Sequence, residues 1–345
     1  MDAGPGRGWQ SLHDVIEQNS SFLLTSHIFP EGDSLGSEVA LALHLRDRGK
    51  AVSVLNPTPP RECYQFLLDS FPIRHLGENG AAPVPIGTEV IIALDVGQWD
   101  YMGQLGEVLR GSGLTLVAVD HHHPSPDFAD IGLIDPSAMS TGEMLYQFFR
   151  WSGVRITPQI AHALYTSVMF DTGGLRLPQT KNHTVLIAAD LLRHGANHET
   201  VVRSLFHSES YERVDLYRRA LAHLRKERSG KIAWMSIPHQ VFLETGTTLH
   251  DADGVLDNLL SVHDIDVCVL FREVAGTGVR VTFRSRGQHD VGTLATRLGG
   301  GGRPTAAGLF LGGCLSEAEE LILPMLRDMC DVGEPAVSGE ARVRD

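Results

Sequence analysis

The stretch LTLVAVDHHHP (114–124) begins as an apolar, β-branched run and ends in one carboxylate followed by three imidazoles. A continuous apolar run of this length, bounded by polar residues, predicts a strand that is buried on both faces of a parallel sheet. In open parallel sheets ligands bind outside the carboxyl ends of the strands, which is where Asp120, His121, His122 and His123 would lie. A triplet of this kind also occurs by chance, so a site is predicted only if similar residues follow other strands.

Further apolar runs alternate with helical patterns through the first half of the chain. This alternation predicts βαβ units and a parallel sheet. The predicted strands are FLLTSHI (22–28), AVSVL (51–55), EVIIALDV (89–96), LTLVAVD (114–120) and IGLID (131–135). Helices are predicted at 37–49 and 141–149, and they dominate from 157 to 228.

A second alternating region follows, with a strand at 231–237, a hairpin that turns at 276–278, and helices at 290–298 and 316–329. A chain of 345 residues exceeds what one core usually organises, so two domains are expected. The fold class is therefore α/β: a parallel-sheet N-terminal domain, a helical linker, and a smaller C-terminal α/β domain with a cleft between the domains. The expected bounds are 10–190, 191–228 and 229–333, with a tail at 334–345.

Composition limits the classes of partner. A net charge of -13 argues against binding long nucleic acid, which requires many cationic contacts to phosphate. No apolar stretch approaches the roughly 20 residues of a membrane span, so no membrane partner is expected. The four cysteines are scattered without metal-type spacing, as in a reducing compartment, and a cytoplasmic location is predicted. A homodimer is compatible with the sequence.

Other candidate ligands follow other predicted elements. His27 stands at the end of the first strand and Glu31 and Asp33 follow it, Asp95 ends the third, and Asp171 stands where a later helix meets a loop. Each has a plainer explanation when taken alone, because Asp commonly forms turns and a lone histidine is usually hydrogen-bonded in a core. Their joint placement at one sheet edge favours a functional site.

Carboxylates combined with imidazoles suit Mn²⁺ or another first-row divalent ion, and bridging carboxylates can hold two such ions. A site for two such ions indicates a displacement reaction at a phosphorus atom, because together the ions activate a water and neutralise charge on phosphoryl oxygens. Ser37, near the start of the predicted helix, is a candidate contact for a substrate phosphate at a positive helix end. A plain helix cap explains this segment equally well.

Five ordered motifs together resemble those of a known family, the DHH phosphoesterases. They are SHIFPEGDSLGS (26–37), ALDVG (93–97), VDHH (119–122), FDTGGLRLPQT (170–180) and the pair FRSRG (283–287) with DVGTLATRLGGGGRPTAAG (290–308). The resemblance covers about residues 10–330 and is greatest to the two-domain, NrnA-like branch of nanoRNase and pAp phosphatase enzymes. It implies a DHH catalytic domain followed by a DHH-associated substrate-binding domain.

The resemblance also implies residue roles. One metal would be held by His27, Glu31 and Asp95, and a second by Asp33, Asp95, His121 and Asp171, with Asp95 bridging. His122 would face the substrate phosphate and assist proton transfer, and Asp120 would orient the histidines. Mn²⁺ is the implied ion, and Mg²⁺ or Co²⁺ could take its place. Substrate would contact Ser37 and a C-terminal set consisting of Arg284, Ser285, Gly300, Gly301, Gly302 and Arg303.

Two positions depart from the family pattern. Glu31 replaces the usual aspartate, and its extra methylene adds rotamer freedom and moves the carboxylate. Arg303 replaces the usual histidine after the glycine run. Arginine is a permanent cation that can bind two phosphate oxygens at once, so we expect Arg303 to bind a terminal phosphate of the substrate.

The function that the resemblance implies is hydrolysis of very short RNA, including pApA, to 5′-mononucleotides, together with dephosphorylation of pAp. A phosphodiesterase of the cyclic dinucleotide c-di-AMP is the alternative in the same fold. A pyrophosphatase is less compatible, because the C-terminal segment is glycine-rich where that family has a lysine- and arginine-rich clamp. A non-catalytic nucleotide sensor is the alternative from another class, favoured by Glu31 and Arg303 and opposed by the retained ligand-type residues.

Overall fold

The computed structural model describes residues 5–77, 84–122 and 124–331. The chain divides into two compact units, Met1–Ser208 and Glu209–Asp345. This boundary falls inside the expected helical linker (191–228), so the first part of that segment belongs to the N-terminal unit. His123 and the expected tail (334–345) lie outside the described residues.

A six-stranded parallel sheet forms the centre of the N-terminal unit. Its strands are β1 Ser21–Thr25, β2 Ala51–Asn56, β3 Ile73–His75, β4 Val90–Leu94, β5 Thr115–Asp120 and β6 Ile131–Ile134. Their spatial order is β3-β2-β1-β4-β5-β6, and every neighbouring pair is parallel. The direction of winding therefore reverses between β1 and β4, where doubly wound sheets open a crevice for ligands.

Eight helices of the described residues belong to this unit: α1 Pro5–Gln18, α2 Gly32–Asp47, α3 Gln65–Leu68, α4 Gly103–Arg110, α5 Thr141–Trp151, α6 Pro158–Asp171, α7 Asn182–Arg193 and α8 His198–Phe206. Helix α2 is buried continuously from Gly32 to Leu45. A helix that is buried on all sides belongs to the interior of a domain. Residues at its first turn are thereby held rigidly beside the ends of the strands.

The structure differs from the sequence-based prediction at two places near the site. Helix α2 begins at Gly32, whereas the prediction began at residue 37, so Asp33 lies in its first turn. The glycines of this segment resemble a turn in sequence, but Gly36 serves close packing: an ideal Cβ there would lie 2.4 Å from the carbonyl oxygen of Ala163 in α6. Strand β3 was not predicted, because three residues after a proline carry too little pattern.

The C-terminal unit contains a second six-stranded sheet. Its strands are β7 Arg225–Lys226, β8 Ile232–Ile237, β9 Val267–Val274, β10 Gly278–Ser285, β11 Gly301–Arg303 and β12 Ala306–Leu311. Their order is β11-β12-β10-β9-β8-β7, with β8 and β9 parallel and the other neighbours antiparallel. Its helices are α9 Tyr211–Ala222, α10 His239–Thr245, α11 Val255–Leu260, α12 Val291–Arg297 and α13 Leu315–Asp331.

The expected α/β class is confirmed, with a parallel sheet in the first unit and a smaller mixed α/β unit after it. The glycine-rich run that followed the predicted hairpin forms a second hairpin, in which Gly301 pairs with Gly308. Among the helices of the described residues, none has the length and apolar character that crossing a membrane requires.

Candidate metal centre

Asp95 directly follows β4 at the point where the sheet reverses its winding. Its backbone is left-handed, with φ at 58°, a conformation that Asp tolerates better than most residues. Its Oδ2 lies 3.6 Å from Nε2 of His27, and its Oδ1 lies 3.7 Å from Nε2 of His121. The two oxygens of one carboxylate thus face two different imidazoles, as a bridging ligand requires.

The histidine rings are oriented by backbone carbonyls. Nδ1 of His27 lies 2.7 Å from the carbonyl oxygen of Ile28, and Nδ1 of His121 lies 3.3 Å from that of Ala138. Because a carbonyl only accepts, both Nδ1 atoms carry the proton, and both Nε2 atoms are left to face the carboxylates. This arrangement of a ring fixed through its other nitrogen is typical of metal-ligating histidines.

Carboxylates from two helices complete the surroundings of His121. Its Nε2 lies 3.0 Å from Oδ2 of Asp171, the last residue of α6, and 3.4 Å from Oδ2 of Asp33 in α2. Asp33 and His121 are buried, so their charges act in surroundings that water screens weakly. Side chains from β4, β5, α2 and α6 therefore meet at one rim of the sheet.

Asp33 accepts hydrogen bonds from several donors that the sequence motifs do not predict. The backbone N–H of Thr141 donates to its Oδ2 at 2.9 Å, and that of Gly142 donates to its Oδ1 at 3.2 Å. These are the first two residues of α5, so the positive end of that helix faces the carboxylate. The hydroxyl of Ser167 in α6 also donates to Asp33 Oδ1.

Ser37 lies behind Asp33. Its side chain is completely buried, and its hydroxyl is 3.4 Å from Asp33 Oδ1. In this structure the hydroxyl supports the Asp33 carboxylate and is buried, not at the surface where a substrate phosphate was expected to meet it.

His122 is oriented by Asp120. Oδ1 of Asp120 accepts from the backbone N–H of His122 at 3.0 Å and from its ring Nδ1 at 2.7 Å. The Asp120 side chain is fully buried, whereas that of His122 is 34% exposed. A buried carboxylate thus fixes the tautomer of a ring that solvent or a substrate can reach.

The pKa values reflect this crowding of charge. Burial alone would lower the pKa of His27, but the neighbouring Asp95 carboxylate raises it to about 9. Burial likewise opposes protonation of His121, but contacts with Asp171, Asp33 and Asp95 raise its pKa to about 10. Burial, added to the nearby charges of Asp95 and Asp171, raises the pKa of Asp33. The carboxylates thus draw positive charge towards themselves, which is the electrostatic condition for binding a cation.

The residues present fit divalent metal ions. Ligand atoms of Asp33, His121 and Asp171 lie within 4.8 Å of one another, as do those of Asp95, Asp120, His121 and His122. Oδ2 of Asp120 is buried without a hydrogen-bond donor among the described residues, and Oδ2 of Asp171 is buried 3.0 Å from Nε2 of His121. Buried carboxylate oxygens of this kind need a partner, and mixed oxygen and nitrogen donors suit first-row divalent ions.

Glu31 belongs to neither of these two groups of ligand atoms. It is exposed and occupies the N-cap position of α2, where its backbone N–H donates to Ser34 Oγ at 2.9 Å. His27 is likewise outside both groups, although it pairs with Asp95. The structure therefore assembles the expected second metal set more completely than the first.

A buried polar network behind His27 was not predicted from sequence. Asn56, at the end of β2, donates to Glu38 Oε2 at 2.9 Å and accepts from the backbone N–H of Ser26 at 3.1 Å. All three side chains are buried, and burial raises the pKa of Glu38 to about 8. Because Ser26 directly precedes His27, this network fixes the backbone that carries the His27 ring. An Asn at a strand end is the only sequence signal for it, and turn formation explains that equally well.

The expected substrate residues of the C-terminal unit lie on β10, β11 and the turn before β11. Arg284 is partly buried and Ser285 is buried, with its hydroxyl accepting from Gly287 N–H at 3.1 Å. An ideal Cβ on Gly300 would lie 2.3 Å from the carbonyl oxygen of Gly308, so this glycine is needed for strand packing itself. Gly302 lines a cavity of about 340 Å³ with Asp290, Thr293, Thr296 and Arg297. Arg303, at the end of β11, is exposed.

Comparison with known proteins agrees with this architecture. Residues 21–168 match the family model described as the DHH family, N-terminal domain, and residues 234–329 match the DHHA1 domain. A bifunctional oligoribonuclease and PAP phosphatase NrnA from Thermus thermophilus is 28% identical over 93% of this chain and 95% of its own length. The protein of the same name from Bacillus subtilis is 25% identical, covering 86% of this chain and 90% of its own.

More distant matches are of two kinds. A cyclic-di-AMP phosphodiesterase GdpP from Geobacillus thermodenitrificans is 24% identical over 94% of this chain but only 50% of its own length. The crystal structure of an exopolyphosphatase-related protein from Bacteroides fragilis superposes with a TM-score of 0.87 at 22% identity, covering 96% of this chain and 98% of that one. This structural likeness supports the fold. With both domain models matched in order, the chain belongs to the DHH family and carries a DHH domain followed by a DHHA1 domain.

Proposed function

We propose that this protein is a metal-dependent phosphoesterase that degrades very short oligoribonucleotides to 5′-mononucleotides and removes a phosphate from pAp. The observation that carries the proposal is the convergence of Asp33, Asp95, His121 and Asp171 at one rim of the parallel sheet. The relatives that match nearly the whole chain are named for these two activities.

We propose two Mn²⁺ ions per site, with Mg²⁺ or Co²⁺ as substitutes. His27 and Asp95, together with Glu31, would hold one ion, and Asp33, Asp95, His121 and Asp171 would hold the other. When bound, such ions neutralise charge on phosphoryl oxygens and make a neighbouring water more acidic. The carbonyls of Ile28 and Ala138 keep each Nε2 directed at the carboxylates.

The remaining residues of the rim act on substrate and on protons. Asp120 holds the Nδ1–H of His122, so the other ring nitrogen is left to exchange a proton with a substrate oxygen. Because Asp120 is fully buried, it orients the ring without contacting substrate itself. The positive end of α5 and the Ser167 hydroxyl keep Asp33 in place whether or not substrate is present.

In the DHHA1 domain, Arg284, Ser285, Arg303 and the glycines at 300–302 are proposed to bind substrate. Arg303 is exposed, and its planar fork can hold two oxygens of a terminal phosphate. It would therefore favour short RNA that carries a 5′-phosphate. A comparison of pApA with ApA tests this role. Equal kcat/KM for the two substrates would show that Arg303 does not recognise a terminal phosphate.

A c-di-AMP phosphodiesterase is the second candidate, because proteins of that name match most of this chain. They are matched over only about half of their own length, whereas the oligoribonucleases are matched over 90% or more. A site that had decayed to a sensor would not be expected to keep so many buried carboxylates directed at His121.

Turnover of pAp, pApA, c-di-AMP, pyrophosphate and a longer RNA should be measured with Mn²⁺ and with a chelator. We expect hydrolysis of pAp and pApA that depends on the ion, and little turnover of long RNA. Preferential hydrolysis of c-di-AMP would establish the second candidate, and activity in the chelator would refute the metal mechanism.

We also propose that the enzyme acts in the cytoplasm, where the thiol groups of its four cysteines would stay reduced. A homodimer without a membrane partner is the proposed assembly. Sedimentation of the purified protein measures it.

A further inference from the structure

Strand β10 of the DHHA1 domain has one apolar face and one polar face. Val279, Val281 and Phe283 are buried in the core. Arg280, Thr282 and Arg284 alternate with them and therefore project from the opposite face, where Arg280 is exposed. This face is open at Arg280, whereas Thr282 and Arg284 are half-buried and their β9 partners, Leu270 and Cys268, belong to a buried core cluster.

The neighbouring strands extend this polar face. Phe310 of β12 lies opposite Arg280, Gly308 lies opposite Thr282, and Ala306 lies opposite Arg284. Arg303 of β11 lies opposite Ala306 in turn. We call the set Arg280, Thr282, Arg284, Arg303 and Phe310 the arginine face. It has arginines at both ends, and Thr282 at its middle lies between Gly308 of β12 and the buried Leu270 of β9.

The two ends of the arginine face are separate. Arg280 and Arg284 are four residues apart on an extended strand, which corresponds to about 13 Å. One phosphate cannot contact both strand positions, so a ligand that uses both ends must carry at least two groups along its length. Between the two ends Thr282 is half-buried and accepts a hydrogen bond from the buried Arg272, and Gly308 beside it carries no side chain.

Phe310 is the unusual residue of this surface. Its side chain is 54% exposed, although it is large and apolar. An ideal Cβ on Gly278 would lie 2.9 Å from Phe310 Cζ, so the glycine gives the ring room beside the start of β10. An exposed aromatic ring next to an arginine is the combination that binds a nucleobase and its phosphate in single-stranded nucleic acid.

The charges on this face differ in how they are compensated. Arg272 of β9, opposite Arg280, is buried and donates to Asp253 Oδ1 at 2.6 Å. Among the side chains that the structure describes, no carboxylate lies within 4.0 Å of Arg280 to pair with it. In a chain of net charge -13, this exposed cation favours an anionic ligand.

We propose that Arg280 and Phe310 form a subsite for a further nucleotide of the oligoribonucleotide substrate, beyond the one bound at Arg284 and Arg303. Arg280 binds its phosphate, and Phe310 stacks on its base. The proposal rests on the proposed function and adds to it a residue pair that sets the preferred substrate length. Because pAp is a single nucleotide, it cannot occupy the site at Arg284 and Arg303 and also a pair whose strand position is about 13 Å away.

The test compares kcat/KM for pAp, a dinucleotide and a trinucleotide RNA. We expect Phe310→Ala and Arg280→Ala each to lower kcat/KM for the trinucleotide about tenfold while changing that for pAp less than twofold. Phe310→Trp and Arg280→Lys should retain most of the activity, because the ring and the charge remain. Leu243→Ala, which removes a side chain that is 63% exposed on α10, is the matched control and should change neither substrate.

A second readout is the affinity of a labelled trinucleotide in the presence of a chelator, measured by fluorescence anisotropy. Weaker binding by Phe310→Ala, with unchanged binding of pAp, supports the subsite. Equal losses for pAp and the trinucleotide, or no loss for either, would overturn it. Failure of the wild-type enzyme to hydrolyse any of these RNAs would instead refute the proposed function, so the two failures are distinguishable.

Discussion

Asp95 Oδ2 lies 3.6 Å from His27 Nε2, while the other oxygen of the same carboxylate faces His121 and His122. This carboxylate is therefore the one group shared by the two parts of the proposed centre. The left-handed backbone at Asp95, with φ at 58°, is the local cost of turning the side chain towards both.

Asp95→Asn should abolish turnover of pAp and pApA together. One amide cannot supply two anionic oxygens, and losing several kcal/mol of transition-state stabilisation lowers kcat on the order of 10³-fold. Calorimetric titration with Mn²⁺ should show weaker binding and fewer ions per chain. Asp100→Asn, at an exposed carboxylate of the next loop, is the control. Full activity in Asp95→Asn with an intact circular dichroism spectrum would rule out the bridging role.

Asn56→Leu tests the network behind His27. The substitution leaves Ser26 N–H without its acceptor and Glu38 Oε2 without its donor, at a cost of about 1–3 kcal/mol for each buried group. We expect a lower free energy of unfolding and, because His27 loses its support, an affinity for Mn²⁺ reduced about 10- to 100-fold.

The control for this network is Asn182→Leu, at an exposed position on α7, which should stay within about 0.5 kcal/mol of the wild type. If Asn56→Leu lowered stability but left Mn²⁺ affinity unchanged, the network would support only the fold.

The convergence at the sheet rim follows from a general rule about parallel strands, so much of it is predictable. Asp95, Asp120 and His121 stand at the ends of apolar runs, and the carboxyl ends of parallel strands meet at one edge. Ser167 and the N–H groups of α5 were missed, because their contact with Asp33 depends on how α2, α5 and α6 pack. The hydrophobic pattern of any one segment does not predict how these three helices pack against one another.

The fold of the C-terminal unit is likewise predictable from sequence only in part. Its hairpin is predictable from two β-rich runs around a glycine turn, and β9 and β10 do pair there. The pairing of Phe310 with Arg280 follows from the register of β12, a strand that sequence patterns left unassigned. The register between strands that are not consecutive along the chain depends on the packing of the whole sheet.

Gly36→Ala should disturb the crossing of α2 and α6. An added Cβ would lie 2.4 Å from the Ala163 carbonyl oxygen and 3.0 Å from Ser167 N, both rigid backbone atoms. Separating the helices should lower the free energy of unfolding by about 1–3 kcal/mol. Activity should fall as well, because Ser167 moves away from Asp33. Gly77→Ala, where no atom of the described residues lies within 4 Å of the new Cβ, should alter neither quantity.

Glu31→Gln should lower Mn²⁺ affinity less than tenfold, whereas His27→Gln should lower it more than tenfold. Glu31 is exposed, so water and salt screen its charge, and its side chain also takes part in the capping box at the start of α2. His27 is already oriented by the carbonyl of Ile28. Titration calorimetry of both variants measures the difference. A larger effect at Glu31 than at His27 would show that the exposed carboxylate is a full ligand.

His44 predicts how stability depends on pH. It is buried in α2 beside Phe149, with ring centroids 5.1 Å apart. Burial, with a smaller contribution from the Arg48 charge, lowers its pKa from 6.5 to about 4. The unfolded chain therefore takes up a proton first as the pH falls. The free energy of unfolding should be unaffected by this group above about pH 6.5 and should decrease by on the order of 3 kcal/mol between there and pH 4.

His44→Leu should remove this contribution, so its stability relative to the wild type should improve steadily as the pH is lowered from 6.5 to 4. Urea unfolding of both proteins at several pH values gives the difference directly, since all other titrating groups are shared. His223→Leu, at an exposed position that follows α9, serves as the control and should run parallel to the wild type. Parallel curves for His44→Leu would mean that His44 titrates alike in the folded and unfolded chains.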